Sequence, residues 1–201
     1  HQATANGTYD MNASEAAGTV VSVTDAKVHY GAVRALDGVT LTIRGGECIG
    51  LVGHNGAGKS TIVNVINGGL TPHHGSVAFG NSTGQGIKAA REAGIRCVFQ
   101  ELSLCPNLTV VENTRVMHRS LAGWGWRKRG ADIIAKKLDE IFPGHSINAS
   151  EQVGNLTIAE RQMVEIATTF CEIGNPVRLV ILDEPTSSLD ARLAEQLLTY
   201  V

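Results

Sequence analysis

Gly53-His54-Asn55-Gly56-Ala57-Gly58-Lys59-Ser60-Thr61 matches GxxxxGK[ST], a phosphate-binding loop, and its neighbours supply the setting such a loop requires. Cys48-Ile49-Gly50-Leu51-Val52 ahead of it reads as a buried strand, and Ile62, Val65 and Ile66 behind it recur at helical spacing. Glycines let the backbone wrap a polyphosphate with successive N–H groups turned inward, and the N-terminal end of a helix favours negative charge. Lys59 is then expected to reach the β- and γ-phosphates, and Ser60 to put its hydroxyl on Mg²⁺. Every residue from Gly53 to Thr61 is a candidate nucleotide-binding residue.

Upstream, the alternating segments Val20 to Val23, Lys27 to Tyr30 and Val39 to Ile43 predict strands joined by short turns such as Arg44-Gly45-Gly46. Downstream, Gly68-Gly69 and Pro72 end the loop helix, Val77-Ala78 predicts a short strand, and Arg96 to Phe99 leads as a strand into Gln100. From about Glu101 to Gly174 the pattern turns helical. Ile134, Leu138 and Ile141 share one face, supported by the four-apart pairs Asp132/Lys136 and Lys136/Glu140, while Met163, Ile166, Ala167 and Phe170 form a second face. Leu179-Val180-Ile181-Leu182 is a fully apolar strand, the pattern of one covered on both faces.

The expected organisation is a disordered tail over residues 1–18, a β subdomain and nucleotide-binding core over 19–100, an α-helical subdomain over 101–174 and an incomplete return to the core over 175–201. The fold class is α/β: a P-loop NTPase core with an N-terminal antiparallel β subdomain and an inserted helical subdomain. The chain begins at His1, offers Met11 as a native start and ends inside the helical pattern Ala191 to Val201, so it reads as a C-terminally truncated fragment.

With 201 residues the chain can bury a sizeable core. A formal charge of -2 gives no general basic field, so wholesale nucleic-acid binding finds no support. No apolar run approaches the ~20 residues a spanning helix needs, and the polar first 18 residues show no secretory pattern. Cys48, Cys97, Cys105 and Cys171 show no CxxC pairing and fall mostly in apolar runs, which predicts reduced core thiols. Trp124-Gly125-Trp126-Arg127-Lys128-Arg129 could suggest a nucleic-acid or lipid contact, but reads as a solvated loop leading into the helix around Asp132. His73-His74 lack a third ligand, and no structural metal is assigned.

The strand over 179–182 would place Asp183 and Glu184 at its C-terminal edge, beside a nucleotide held by the loop. Asp183 is expected to hold Mg²⁺, directly or through water, and Glu184 to orient and activate the attacking water.

The order of these motifs resembles that of the ATP-binding cassette (ABC) ATPases: phosphate loop, Gln100 after a strand, Leu156-Thr157-Ile158-Ala159-Glu160 opening a helix, Asp183-Glu184 closing a strand, then Ser187-Ser188-Leu189-Asp190. The resemblance covers essentially residues 20 to 200. It implies that Tyr30 stacks on adenine, that Gln100 touches Mg²⁺ and the attacking water, and that Asp190 passes contacts between two ATP sites. In this family two cassettes sandwich two ATP molecules, so Leu156 to Glu160 would cap the nucleotide of the opposite cassette. This segment departs from the usual LSGGQ: Thr157 keeps a hydroxyl, and Ile158 and Ala159 stand where glycines allow close approach, which implies weakened capping. The family's switch histidine lies beyond a further helix and strand, and no histidine follows His145, so low turnover is expected of this chain alone.

Finer wording, Gln100-Glu101-Leu102-Ser103-Leu104, Pro106-Asn107-Leu108-Thr109-Val110, Glu112-Asn113 and Glu160 to Ala167, is similar to the first cassette of the tandem-cassette monosaccharide importers. The resemblance implies an ATPase on the cytoplasmic face of the cell membrane. Its expected cofactors are ATP and Mg²⁺. Its expected partners are a membrane permease subunit, a second ATP-binding cassette and, indirectly, a periplasmic or extracellular sugar-binding protein, with no nucleic acid. The alternative is a soluble ABC-type ATPase acting on the ribosome or nucleic acid; repair-type members carry a long coiled coil or zinc-binding cysteines that do not fit the compact stretch from Gln100 to Leu156. A P-loop GTPase would show an NKxD motif, which is missing.

Overall fold

Val21 and Val23 turn inward, then Ala26 and Val28 do so one residue out of phase, and an alternation that slips by one calls for a bulge. The computed structural model, which describes residues 18–80, 82, 84–99, 102–186 and 188–201, places that bulge at Asp25, whose φ is 47°. The two strands expected over 20–23 and 27–30 are therefore one bent strand, β1 (Thr19–Tyr30). It pairs antiparallel with β2 (Val33–Arg44) on one side and β3 (His74–Phe79) on the other, in the order β2-β1-β3. The chain divides into two compact units between Ala93 and Gly94, and this sheet belongs to the first.

In the same unit α1 (Lys59–Ile66) follows the phosphate loop and buries Ile62, Val63, Val65 and Ile66. It ends at Asn67, with Gly68 in the left-handed conformation. A short helix, α2 (Gly86–Glu92), closes the unit.

The segment 48–52 is not the expected buried strand. Among the described residues no ladder joins it to another strand, and its apolar side chains are open: Leu51 is 48% and Val52 94% exposed. An apolar run gains a strand's hydrogen bonds only where a neighbouring strand offers its backbone, so the pattern alone did not secure the element.

The second unit holds a parallel pair, β4 (Ile95–Val98) and β5 (Leu179–Leu182), with Ile95 opposite Leu179 and Val98 opposite Leu182. β5 is half-buried along its whole length rather than covered on both faces. Around the pair stand α3 (Val110–Met117), α4 (Trp126–Ile141), α5 (Ile158–Phe170) and α6 (Ala191–Tyr200). The α4 face of Ile134, Leu138 and Ile141 packs with Val164, Ile166 and Ala167 of α5 and Leu197 of α6 in one apolar core. The expected faces of α4 and α5 both point there. Lys136 and Glu140 pair at 3.8 Å on the outer side of α4.

Two further expectations need correction. α4 starts at Trp126, so only Trp124 and Gly125 of the basic hexamer stay in a loop. Arg115 and Arg127 lie over the Trp126 ring, Arg127 pairs with Glu112, and these contacts between α3 and the first turn of α4 favour helix over loop. Of the cysteines only Cys171 is buried; Cys48 and Cys105 are exposed and Cys97 is half-buried, because the apolar runs that carry them are not all interior.

Candidate functional site

The phosphate loop is built by two glycines with left-handed backbone, Gly56 (φ 83°) and Gly58 (φ 88°), which turn the chain into the first turn of α1. Their surroundings differ. A Cβ on Gly56 would meet nothing within 4 Å, whereas one on Gly58 would strike the Ala35 carbonyl oxygen at 2.5 Å. Gly58 is thus where the loop presses against β2, and Gly56 stands on its open side. Ala57 N–H donates to the His54 carbonyl at 3.1 Å, and Ile62 N–H to the Gly58 carbonyl at 2.9 Å. The N–H groups of Lys59, Ser60 and Thr61 precede that first helical bond, so helix geometry leaves them available to an anion.

Lys59 Nζ donates to the carbonyls of Gly53 at 2.6 Å and His54 at 3.1 Å, which holds the ammonium across the concave side of the loop. Ser60 is exposed and Thr61 half-buried. Among Gly53 to Asn55, His54 Nδ1 contacts the Asn55 carbonyl at 2.9 Å. Tyr30 ends β1, pairs with Val33, and is 56% exposed; Val33 lies two residues along β2 from the Ala35 carbonyl that meets Gly58. The structure therefore places an exposed aromatic ring at the hairpin end beside the strand that supports the loop. A charged cradle of backbone N–H groups with a lysine across it fits a polyphosphate.

In the second unit, Asp183 N–H donates to the Val98 carbonyl at 3.0 Å and continues the β4–β5 ladder by one step. The pair being parallel, the chains leaving β4 at Phe99 and β5 at Asp183 exit the same, carboxyl, edge. Open α/β sheets bind their ligands at that edge. Glu184 follows with φ 50°, one of two non-glycine residues with positive φ among those described, and its side chain is exposed. Strained backbone of this kind collects at functional sites. Gln100 lies outside the described residues.

Leu156 is buried and Thr157 caps α5. The Thr157 hydroxyl accepts from Glu160 N–H at 3.2 Å, and the Glu160 carboxylate accepts from Thr157 N–H and its hydroxyl, both at 2.8 Å. This closed capping box engages the hydroxyl that the sequence offered to a phosphate. Ile158 is exposed and Ala159 half-buried, while Arg161 clasps the carbonyls of Val153 and Gly154. Asp190 caps α6 by accepting from Leu193 N–H at 2.8 Å.

Sequence reasoning missed Glu165, Arg161 and Asn113. A charged residue on an apolar helical stripe is the signal that would have found Glu165, and T-x-x-E at Thr109/Glu112 and Thr157/Glu160 would have given both capping boxes.

A glycine loop ending in lysine at a helix start, and paired acids at the carboxyl edge of a parallel strand pair, define the P-loop nucleotide-binding class of α/β proteins. The family model described as "ABC transporter" matches residues 36–187, and the chain belongs to that family. It is 36% identical over 195 residues to the ribose import ATP-binding protein RbsA 1 of Burkholderia ambifaria, covering 93% of this chain and 37% of that protein. It is 37% identical over 205 residues to the arabinose import ATP-binding protein AraG of Azospirillum brasilense, covering 96% and 36%. The chain thus spans just over a third of the length of these relatives. Among solved structures it is similar to a nucleotide-free ATP-binding cassette of an ABC transporter, with TM-score 0.72, 25% identity, and 90% and 75% coverage. A dimeric post-hydrolysis cassette, MJ0796 bound to ADP and Pi, aligns with TM-score 0.70, 26% identity, and 90% and 80% coverage.

Proposed function

We propose that this chain is the ATP-binding and ATP-hydrolysing part of a sugar importer, working at the cytoplasmic face of the membrane. The observation that carries the reading is the Gly58–Lys59 turn, pressed on Ala35 with its ammonium held across the loop, in a chain whose relatives are named as ribose and arabinose import proteins. No helix among the described residues is long and apolar enough to cross a membrane, which suits a peripheral subunit that borrows its membrane path from a permease.

The nucleotide supplies a phosphoanhydride whose cleavage drives the cycle. Backbone N–H groups of the loop and α1 bind its phosphates, Lys59 offsets their charge, and Tyr30 offers a face to the base. Ser60, Asp183 and Gln100 are the proposed Mg²⁺ holders. Glu184, an exposed carboxylate at the sheet's carboxyl edge, is the group proposed to orient the attacking water and accept its proton. Thr157 to Glu160 would face the nucleotide of a second cassette, an arrangement supported by the dimeric relative, and the helices of 101–174 would meet the permease. A soluble cassette acting on the ribosome or nucleic acid draws no support from the relatives' names. Sugar uptake into vesicles bearing the permease and the whole importer tests the proposal: uptake of labelled ribose or arabinose should need ATP and stop with Glu184→Gln. ATP-independent uptake, or unchanged uptake in the variant, would overturn it.

A further inference from the structure

Residues 113–131 carry five of the chain's 17 basic residues, Arg115, Arg119, Arg127, Lys128 and Arg129, and no Asp or Glu. The whole chain carries 19 acids and a formal charge of -2, so this stretch reverses the charge locally. It forms the end of α3, the connection and the first turn of α4. Arg115, Arg119 and Arg127 line one open groove with Val116 and Trp126, and Glu112, paired with Arg127 at 3.1 Å, is the one acid there. Arg119 and Lys128 are exposed and, among the described residues, form no ion pair.

Trp124 stands in the connection and is 98% exposed. A ring of that apolar area left bare to water is unfavourable until something covers it. The backbone holds it out rather than letting it fold back. Gly123 and Gly125 on either side are both left-handed, at φ 80° and 70°, and Arg129 donates to the carbonyls of Trp124 and, at 2.7 Å, of Ala122. At the base of the turn Leu121 is buried, and a Cβ on Gly130 would lie 2.7 Å from its Cδ2, so the turn is packed tightly on α4. Trp126 is placed differently, because Arg115 and Arg127 cover its ring at 4.3 and 4.7 Å from the centroid. One tryptophan is thus fixed in the basic groove, and the other, two residues away, is fixed with its ring in solvent.

We propose that this corner docks on an anionic lipid surface, with Trp124 entering the headgroup layer and Arg115, Arg119 and Lys128 meeting lipid phosphates. Charge complementarity chooses the occupant. Basic side chains gain from the negative surface of such a membrane, and tryptophan, an apolar ring with one N–H, settles at the headgroup level. A ring that protrudes from a turn suits a surface that yields around it, whereas a rigid partner would need a matching pocket. The inference rests on the proposed function only in placing the protein at a membrane. It adds a contact with lipid itself, separate from those with nucleotide and permease.

The test mixes this protein, without permease, with phosphatidylcholine vesicles and with vesicles holding about one-third phosphatidylglycerol, and separates bound from free protein by flotation. Wild type should float with the anionic vesicles at low salt, leave them as salt rises to about 0.5 M, and ignore the neutral ones. Its tryptophan emission should move to the blue on the anionic vesicles, and that shift should vanish in Trp124→Ala. Trp124→Ala should weaken binding on the order of tenfold, and Arg119→Gln combined with Lys128→Gln on the order of twentyfold. All three side chains are exposed, so melting midpoints should match wild type and separate lost docking from lost fold. No flotation by wild type, equal flotation with neutral vesicles, or folded variants that float as wild type does would each overturn the proposal. A wild type that ignores the vesicles but binds polyglutamate or duplex DNA would also overturn it, in favour of an acidic protein or a nucleic acid. Lys59→Ala tests the parent reading separately: it should float like wild type while losing a fluorescent ATP analogue. If it keeps the analogue as wild type does, the ATPase reading has failed; if only the flotation results fail, the lipid contact alone has.

Discussion

Gly58→Ala is expected to damage this protein far more than Gly56→Ala, although both positions have nearly the same left-handed backbone. Placing an L-residue in that region costs about 1–2 kcal/mol at either site. At Gly56 the added methyl meets open space, so the cost stops there. At Gly58 the methyl would sit 2.5 Å from the Ala35 carbonyl oxygen and 3.1 Å from Leu36 Cδ2. A relaxed carbon–oxygen contact is ~3.3 Å, so backbone must retreat by roughly 0.8 Å. Overpacking of that order adds about 1–3 kcal/mol. For a chain of this size 1 kcal/mol corresponds to ~2–4 °C, which gives a fall near ~4 °C for Gly56→Ala and ~10 °C for Gly58→Ala. The retreat also moves the first turn of α1, which carries Lys59 and Ser60, so affinity for a fluorescent ATP analogue should drop by more than about tenfold in Gly58→Ala. Circular dichroism melts of the two variants, with analogue titrations beside them, read both effects. Equal melting shifts for the two alanines would refute the close approach to Ala35 as the reason for Gly58.

Thr157→Ala opens the α5 capping box and should cost about 1 kcal/mol in urea unfolding, with Thr157→Ser close to neutral; no difference between them and wild type would show that the cap contributes nothing. His118 is buried, which holds its pKa below the usual 6.5 despite the bond to the Thr168 carbonyl. The unfolded chain then binds a proton that the native one resists, so this group's contribution is retained above about pH 6.5 and lost on acidification. Urea midpoints between about pH 8 and 5 should fall less steeply for His118→Gln than for wild type, and parallel curves would contradict the assignment. Burial pushes the Cys171 thiol up to about 12, so iodoacetamide should label the exposed Cys48 and Cys105 while Cys171 reacts only on unfolding. Mass spectrometry after brief labelling decides it.

Elements whose stability is local or one-faced were legible in the sequence. The loop and α1 follow from glycine positions and the apolar spacing of Ile62, Val65 and Ile66, and the α4 face of Ile134, Leu138 and Ile141 is a helical period that the core fills as expected. What depends on a distant partner was not. Cys48 to Val52 has the composition of a strand, yet composition cannot provide the neighbouring backbone, and the segment stands open. The β1 bulge hides in a phase slip at Thr24-Asp25 that reads equally well as a turn. Trp126 joins α4 because Arg115, Arg127 and Glu112 meet around it, a cluster assembled from two helices. Glu165 escaped notice for the opposite reason: a charged side chain is ordinarily solvated, and only the packing of α5 shows it buried on Ser103.

The loop's claim to a nucleotide is tested most directly by titrating this protein with Mg-ATP beside Lys59→Ala, following a fluorescent ATP analogue and its displacement. Saturable binding in wild type that weakens by at least about tenfold in the variant, with both melting alike, is the predicted result. Equal binding by the two, or saturable binding by neither folded protein, would contradict it.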